Sequence, residues 1–207
     1  MRCTGVILAG GAATRYGGTP KGLELVGGKR IIDRVAAALS ASSDELLLIA
    51  NAPEASEWLP GVRVHRDLLP GHGSLGGLLT AIVCAASPIL VVAWDMPFVP
   101  AELLHDLREL GETRVDALYD AVLPEGETAK VEPLCGWYAP SCEPVIRSRI
   151  ARGDLRVSAL AEELHVRVLP RASVQRYGTT EKLFMNVNCA EDRSLAERYA
   201  RSVQRDS

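Results

Sequence analysis

Three segments of the sequence carry residue types that suit a phosphorylated ligand. The first is the glycine-rich stretch 8–21, Leu-Ala-Gly-Gly-Ala-Ala-Thr-Arg-Tyr-Gly-Gly-Thr-Pro-Lys, which continues a short apolar run. Glycines let the backbone approach a phosphate and direct N–H groups at it. Arg15 and Lys21 on the same stretch could neutralise a triphosphate. A surface turn with two solvated cations is the alternative, but the position directly after the first predicted strand favours a phosphate site.

The second segment is centred on Asp95, which directly follows Ile89–Trp94, the most strand-like run in the chain. A carboxylate at a strand end, next to bound phosphates, is a natural ligand for Mg²⁺. The alternative role is an N-cap of the next predicted helix, but Asp95 lies too far upstream of Ala101 to cap it. Asp95 is therefore the predicted metal ligand and, with Arg15 and Lys21, a predicted catalytic residue.

The third segment joins Asp67 to the glycine-rich stretch Gly71–Gly77. Its glycines would allow close approach to a flat ring or a sugar, whereas a helix-entry loop with Ser74 as N-cap is the structural alternative. Asn51 and Asp67 each follow a predicted strand, so both are candidate nucleotide contacts. Asn51 could equally be a turn residue before Pro53.

The elements that must position these segments are strands alternating with helices. Ligands in such sheets bind outside the carboxyl ends of the strands, where the three segments fall. Continuous apolar strands between helices predict an α/β fold with a mostly parallel sheet and helices on both faces. Past Gly111 the alternation loosens, which suggests one strand inserted antiparallel to the rest. The predicted strands are 6–9, 45–50, 62–65, 89–94, 116–123, 133–138 and 166–169, and the predicted helices are 31–39, 78–86, 101–110, 142–152, 158–164 and 191–203.

Composition narrows the class of protein further. A chain of 207 residues with a formal charge of −3 lacks the basic surface of a general nucleic-acid binder. No apolar run approaches the roughly 20 residues that span a membrane. The five cysteines form no C-x-x-C pair, which predicts neither a disulfide framework nor a zinc site and favours a reducing cytoplasm. Without repeats or linkers, residues 1–207 are expected to form a single domain.

Taken together, the segments resemble the molybdenum cofactor guanylyltransferases, also called molybdopterin-guanine dinucleotide synthases. The resemblance covers most of the chain. It rests on four motifs: Leu8–Gly11 with Arg15 and Lys21-Gly22-Leu23, Asp67 with Gly73–Gly77, Asp95-Met96-Pro97-Phe98, and Asn186-Val187-Asn188 followed by Glu191-Asp192. The first motif is shared by many nucleotidyltransferases, and the combination is more specific. Trp94 departs from the pattern, since a cysteine usually precedes the Asp-Met-Pro.

The resemblance implies a Rossmann-like fold of the nucleotide-diphospho-sugar transferase type. It also implies transfer of GMP from Mg-GTP to the terminal phosphate of molybdopterin, with Mg²⁺ as cofactor. Molybdoenzyme apo-proteins or their chaperones would be further partners, with neither nucleic acid nor membrane. Asn186 and Asn188 would contact the pterin or its phosphate, although they could instead tie down a buried loop. Together, the positions after the strands and the resemblance give the following predicted nucleotide contacts: Leu8, Ala9, Gly10, Gly11, Lys21, Asn51, Asp67, Gly76 and Asp95.

GTP is the expected nucleotide, because the Gly73–Gly77 loop is more similar to that of guanylyl enzymes than to the serine-rich loop of cytidylyl relatives. Backbone groups exposed by Gly76 and Gly77 could read the guanine edge without a dedicated side chain.

Three alternatives remain open at this point. A cytidylyltransferase or sugar-phosphate nucleotidyltransferase would share the first loop and Asp95. A non-catalytic adaptor that delivers cofactor would bind the nucleotide without releasing pyrophosphate. A glycosyltransferase normally shows an Asp-x-Asp pair, which Asp95-Met96-Pro97 lacks.

Overall fold

The computed structural model describes residues 2–10, 20–113, 118–128 and 130–203. Gly11 and Arg15, two of the predicted phosphate contacts, lie outside the described residues, as does the beginning of the strand predicted at 116–123.

The strands form one seven-stranded sheet, in the order β5-β4-β1-β6-β8-β7-β9, and a separate two-stranded hairpin of β2 and β3. Strands β1, β4, β5 and β6 are parallel, and β8 is antiparallel to both of its neighbours. The predicted antiparallel insertion is thus confirmed. The strands are β1 (Thr4–Ala9), β2 (Leu25–Val26), β3 (Lys29–Arg30), β4 (Glu45–Ala50), β5 (Arg63–His65), β6 (Ile89–Ala93), β7 (Ala121–Pro124), β8 (Cys135–Tyr138) and β9 (Val166–Leu169).

Helices cover both faces of the sheet, which confirms the predicted fold class. The α-helices are α1 (Ile31–Ser42), α2 (Ala55–Trp58), α3 (Gly73–Ala85), α4 (Ala101–Glu112), α5 (Glu143–Ala151), α6 (Arg171–Val174), α7 (Thr180–Leu183) and α8 (Ala190–Val203). Short 3₁₀-helices are Lys21–Leu23, Pro140–Cys142, Val157–Glu162 and Gln175–Tyr177.

Two hydrophobic cores lie on opposite faces of the sheet, because successive side chains of a strand point to opposite sides. On β1, Ile7 packs into one core with α1, α4 and α8, whereas Val6 and Leu8 pack into the other with α3 and α5. These central strands are buried on both faces, so their sequences are continuous apolar runs. The sheet thereby holds the carboxyl ends of β1, β4 and β6 in a fixed register.

The prediction that Gly71–Gly77 is a loop is wrong from Gly73 onward, because α3 begins at that residue. Glycine disfavours a helix by about 1 kcal/mol relative to alanine. Burial of Leu75, Leu78 and Leu79, each fully covered in the second core, offsets that cost. The predicted helix 158–164 is instead the 3₁₀-helix Val157–Glu162.

Within the described part of the chain, no helix combines the length and the apolar character needed to cross a membrane.

Candidate functional site

The carboxyl ends of β1, β4 and β6 meet at one edge of the sheet and line a cleft of about 540 Å³, part of it open to solvent. The cleft is lined by Leu8, Ala9, Gly10, Ile49, Ala50, Asn51, Asp67, Gly73, Ser74, Gly77, Ala93, Trp94, Asp95, Leu134 and Asn186. The sequence singled out many of these residues as site candidates, and the fold brings them together from five parts of the chain, at 8–10, 51, 67–77, 95 and 186.

Asn51 and Asp67 form a reciprocal pair at the ends of β4 and β5. The Asn51 Nδ2 group donates to Asp67 Oδ2 at 2.7 Å, and the Asp67 backbone N–H donates to Asn51 Oδ1 at 2.9 Å. The pair fixes the orientation of both side chains in the cleft wall. It also leaves the second carboxylate oxygen of Asp67 free of any side-chain donor in the described residues.

The first turn of α3 forms another wall of the cleft. Gly73, Ser74 and Gly77 line it, whereas the predicted contact Gly76 packs against His72 and Leu69 and does not. Gly71 and Gly73 have φ values of +87° and +57°, which only glycine adopts without strain. A helix of this length directs unpaired N–H groups and positive partial charge at the cleft, which suits an anion.

Asp95 lies two residues beyond the end of β6, half-buried at the floor of the cleft. Burial raises the pKa of its carboxyl, an effect opposed by the residue's own backbone N–H and by the nearby charge of Lys21. No side chain of the described residues donates a hydrogen bond to this carboxylate. A half-buried carboxylate that has no cation in direct contact among the described residues is well suited to bind a cation that accompanies a ligand.

Lys21 lies beside the cleft, in the short 3₁₀-helix Lys21–Leu23, and borders a second, smaller cavity. Its ammonium group donates to Asn188 Oδ1 at 2.6 Å. One residue earlier, the Val187 N–H donates to the backbone carbonyl of Asp95 at 2.9 Å. The segment 186–188 therefore contacts both Lys21 and Asp95, which belong to two different motifs of the sequence.

Exposed and buried side chains alternate along segment 186–188. Val187 is buried in the first core, and Asn186 and Asn188 are exposed on either side of it. Asn186 lines the cleft, with its Nδ2 group donating to the carbonyl of Phe184 at 3.3 Å, and Asn188 reaches Lys21. Asp192 at the start of α8 accepts the N–H groups of Asn188 and Cys189, which fixes the end of the segment.

The residues present fit a magnesium ion held mainly by nucleotide phosphates. Mg²⁺ is usually bound by one or two carboxylates, waters and substrate phosphates rather than by an all-protein cage. Among the described residues no group of three or more His, Cys, Asp or Glu side chains could hold a metal. Asp95, whose carboxylate accepts no hydrogen bond from a side chain of the described residues, would supply the one carboxylate that such a metal–phosphate complex needs.

Sequence reasoning missed the roles of Trp94 and Leu134 in the cleft wall. Leu134 enters because β8 pairs antiparallel with β6, and its carbonyl accepts the N–H of Ala93 at 2.9 Å. No local sequence pattern predicts the pairing of β8 with β6. The position of Trp94 directly before Asp95 was the only available signal for its role.

A model for the MobA-like NTP transferase domain matches residues 5–168 of the chain. The molybdenum cofactor guanylyltransferase of Cereibacter sphaeroides is 33% identical over 201 residues, which cover 95% of this chain and 96% of that protein. The protein of the same name from Desulfosudis oleivorans is 29% identical over 196 residues, 94% of each chain.

Solved structures extend the similarity to the fold. Molybdopterin-guanine dinucleotide biosynthesis protein A from Archaeoglobus fulgidus superposes with a TM-score of 0.79 at 26% identity, over 96% of this chain and 99% of that one. The 2-C-methyl-D-erythritol 4-phosphate cytidylyltransferase of Thermus thermophilus superposes with a TM-score of 0.65 at 18% identity, over 97% and 100% of the two chains. At that lower identity the likeness extends to the fold alone.

Proposed function

Because this chain belongs to the family of MobA-like NTP transferase domains and is a nucleotidyltransferase, we propose that it transfers GMP from Mg-GTP to the terminal phosphate of molybdopterin. The names of its relatives support this choice of nucleotide and acceptor. The observation that carries it is the meeting of Lys21 and Asp95 on segment 186–188, beside a cleft that a nucleotide can enter.

In the proposed reaction a phosphate oxygen of the acceptor attacks the α-phosphorus of GTP. The bond between the α-phosphorus and the oxygen leading to the β-phosphate breaks, and pyrophosphate leaves. The acceptor is already an anion, so the reaction requires no general base. The barrier comes from crowding of negative charge, which positioned cations and N–H groups lower by electrostatics.

The residues of the chain have distinct parts in this proposal. Lys21 and Arg15, which belong to the same glycine-rich stretch of the sequence, would neutralise the triphosphate. Asp95 would hold the magnesium ion, which when bound supplies Lewis-acid polarisation of the phosphate oxygens. Asn186 and Asn188 would contact the pterin or its phosphate.

The nucleotide preference distinguishes this proposal from that of a cytidylyltransferase with the same fold. The α3 end of the cleft is lined by glycine and serine, leaving room for a purine and backbone groups to read its edge. The wrong base would leave buried polar groups unpaired at a cost of roughly 1–3 kcal/mol each. The test is the ratio of kcat/KM for GTP and CTP with molybdopterin as acceptor. We expect a ratio of at least about tenfold for one such group, and a ratio at or below one would overturn the guanylyl assignment.

A further inference from the structure

Trp94 connects Asp95, which lines the cleft, to the backbone next to Lys21, which lies beside the cleft. It directly precedes Asp95 in the chain, and its ring packs against Gly22, which directly follows Lys21. A Cβ atom at Gly22 would lie 2.8 Å from Cδ2 of Trp94 and closer still to Cε3, nearer than real Cβ atoms approach a neighbour. The backbone beside Lys21 therefore rests on the face of the indole, and only glycine allows that approach.

Contacts with other parts of the protein also hold the indole of Trp94 in place. Trp94 stacks on Trp58 with ring centroids 5.3 Å apart and an interplanar angle of 21°, and both rings are almost fully buried. The backbone N–H of Trp94 donates to the carbonyl of Leu8 at 3.1 Å, which ties it to the end of β1. The ring thus has little freedom to move relative to the sheet.

We propose that Trp94 is a positioning residue, which sets Lys21 at a fixed place relative to Asp95 through the contact of its indole with Gly22. The inference rests on the proposed function, since it assigns the contact to the binding of the nucleotide phosphates. Packing that holds a charged group in register with its neighbour matters because a small displacement of a phosphate contact costs binding and rate.

The chain offers a matched control for this contact. Gly111, at the end of α4, has the same relation to Trp137 as Gly22 has to Trp94, since a Cβ there would lie 2.5 Å from Cε3 of the indole. Neither Gly111 nor Trp137 lines the cleft. Gly111→Ala therefore imposes a comparable steric strain on the core without touching the backbone of Lys21.

The experiment measures the affinity for Mg-GTP, without acceptor, in Gly22→Ala, Gly111→Ala, Lys21→Ala and the double variant Gly22→Ala/Lys21→Ala. Lys21→Ala removes a charge-assisted phosphate contact and should weaken binding by about tenfold or more. We expect Gly22→Ala to weaken it to a similar extent and to have no further effect when Lys21 is already alanine. Gly111→Ala should lower the melting temperature and leave the affinity unchanged.

Equal losses of affinity in Gly22→Ala and Gly111→Ala, or losses that add in the double variant, would overturn the inference. If Gly22→Ala does not fold, Trp94→Phe and Trp94→Leu replace it. Trp94→Phe keeps a flat ring and should largely retain the affinity for Mg-GTP. Trp94→Leu should weaken the affinity, but not when Lys21 is already alanine. Equal affinities in the two Trp94 variants would overturn the inference. A wild-type protein that binds no nucleotide would contradict the proposed function itself, and this inference with it.

Discussion

The Asp95 carboxyl is half-buried and accepts no hydrogen bond from a side chain of the described residues, and burial raises its pKa. A carboxyl whose pKa is higher in the folded than in the unfolded protein stabilises the fold at low pH. That stability is lost as the pH rises from the ordinary value of 3.8 through the raised pKa. At neutral pH the ionised carboxylate of Asp95, the proposed metal ligand, therefore destabilises the fold of the ligand-free protein.

Asp95→Asn should separate function from stability. We expect turnover to fall by about a hundredfold or more, because a lost metal ligand removes several kcal/mol of transition-state stabilisation. The melting temperature at neutral pH should stay equal or rise, with the difference from wild type shrinking towards pH 4. Enzyme assays and thermal melts across that pH range are the measurements.

Asp44→Asn is the control, and its expected effect on the melting temperature has the opposite sign. The Asp44 carboxylate accepts the N–H of Cys3 and pairs with Arg108, and its pKa is lowered chiefly by that N–H. Its replacement should lower the melting temperature at neutral pH and leave turnover unchanged. Near-wild-type turnover in a folded Asp95→Asn protein would rule out the proposed metal role.

At the scale of elements, segment 186–188 is both a structural connection and a candidate acceptor contact. Asn186→Ala and Asn188→Ala should each weaken molybdopterin binding and keep the melting temperature, because both side chains are exposed. Val187→Ala, the control, should lower the melting temperature by opening a cavity in the first core. Binding titrations and thermal melts distinguish the roles, and a lowered melting point with unchanged acceptor affinity in the asparagine variants would contradict ours.

The central strands could be predicted from the sequence because a strand buried on both faces has an uninterrupted run of apolar residues, as in β1, β4 and β6. The start of α3 could not, because glycine-rich sequence is locally unfavourable to helix and only tertiary burial of Leu75 decides the matter. The β2–β3 hairpin is likewise too short to leave a periodic pattern, since each of its strands has only two residues.

The sequence predicted many residues of the candidate site, but it did not predict the contacts between them. Strand ends carried Asp95, Asn51 and Asp67, since parallel strands place their carboxyl ends at one edge. The bond from Lys21 to Asn188 joins positions that are 167 residues apart in the chain, and no local pattern encodes it. The family resemblance supplied the motif, and the packed structure supplied its connection to Lys21.

At the scale of the whole molecule, we propose that residues 1–207 form one cooperative domain. The two cores share the strands of a single sheet, so neither can unfold alone without exposing the other. Far-UV circular dichroism and tryptophan fluorescence should report the same denaturation midpoint, because Trp58, Trp94 and Trp137 all pack in the first core. Two separated transitions would show that the chain divides into independent units.

The measurement that tests the central claim most directly is the mass of the product. The protein is incubated with molybdopterin, Mg²⁺ and equal concentrations of the four ribonucleoside triphosphates, and the acceptor is analysed by mass spectrometry. We predict that molybdopterin gains the mass of one GMP residue and that pyrophosphate is released in equal amount. A product carrying CMP, or an unchanged acceptor with a protein that binds Mg-GTP, would contradict the account.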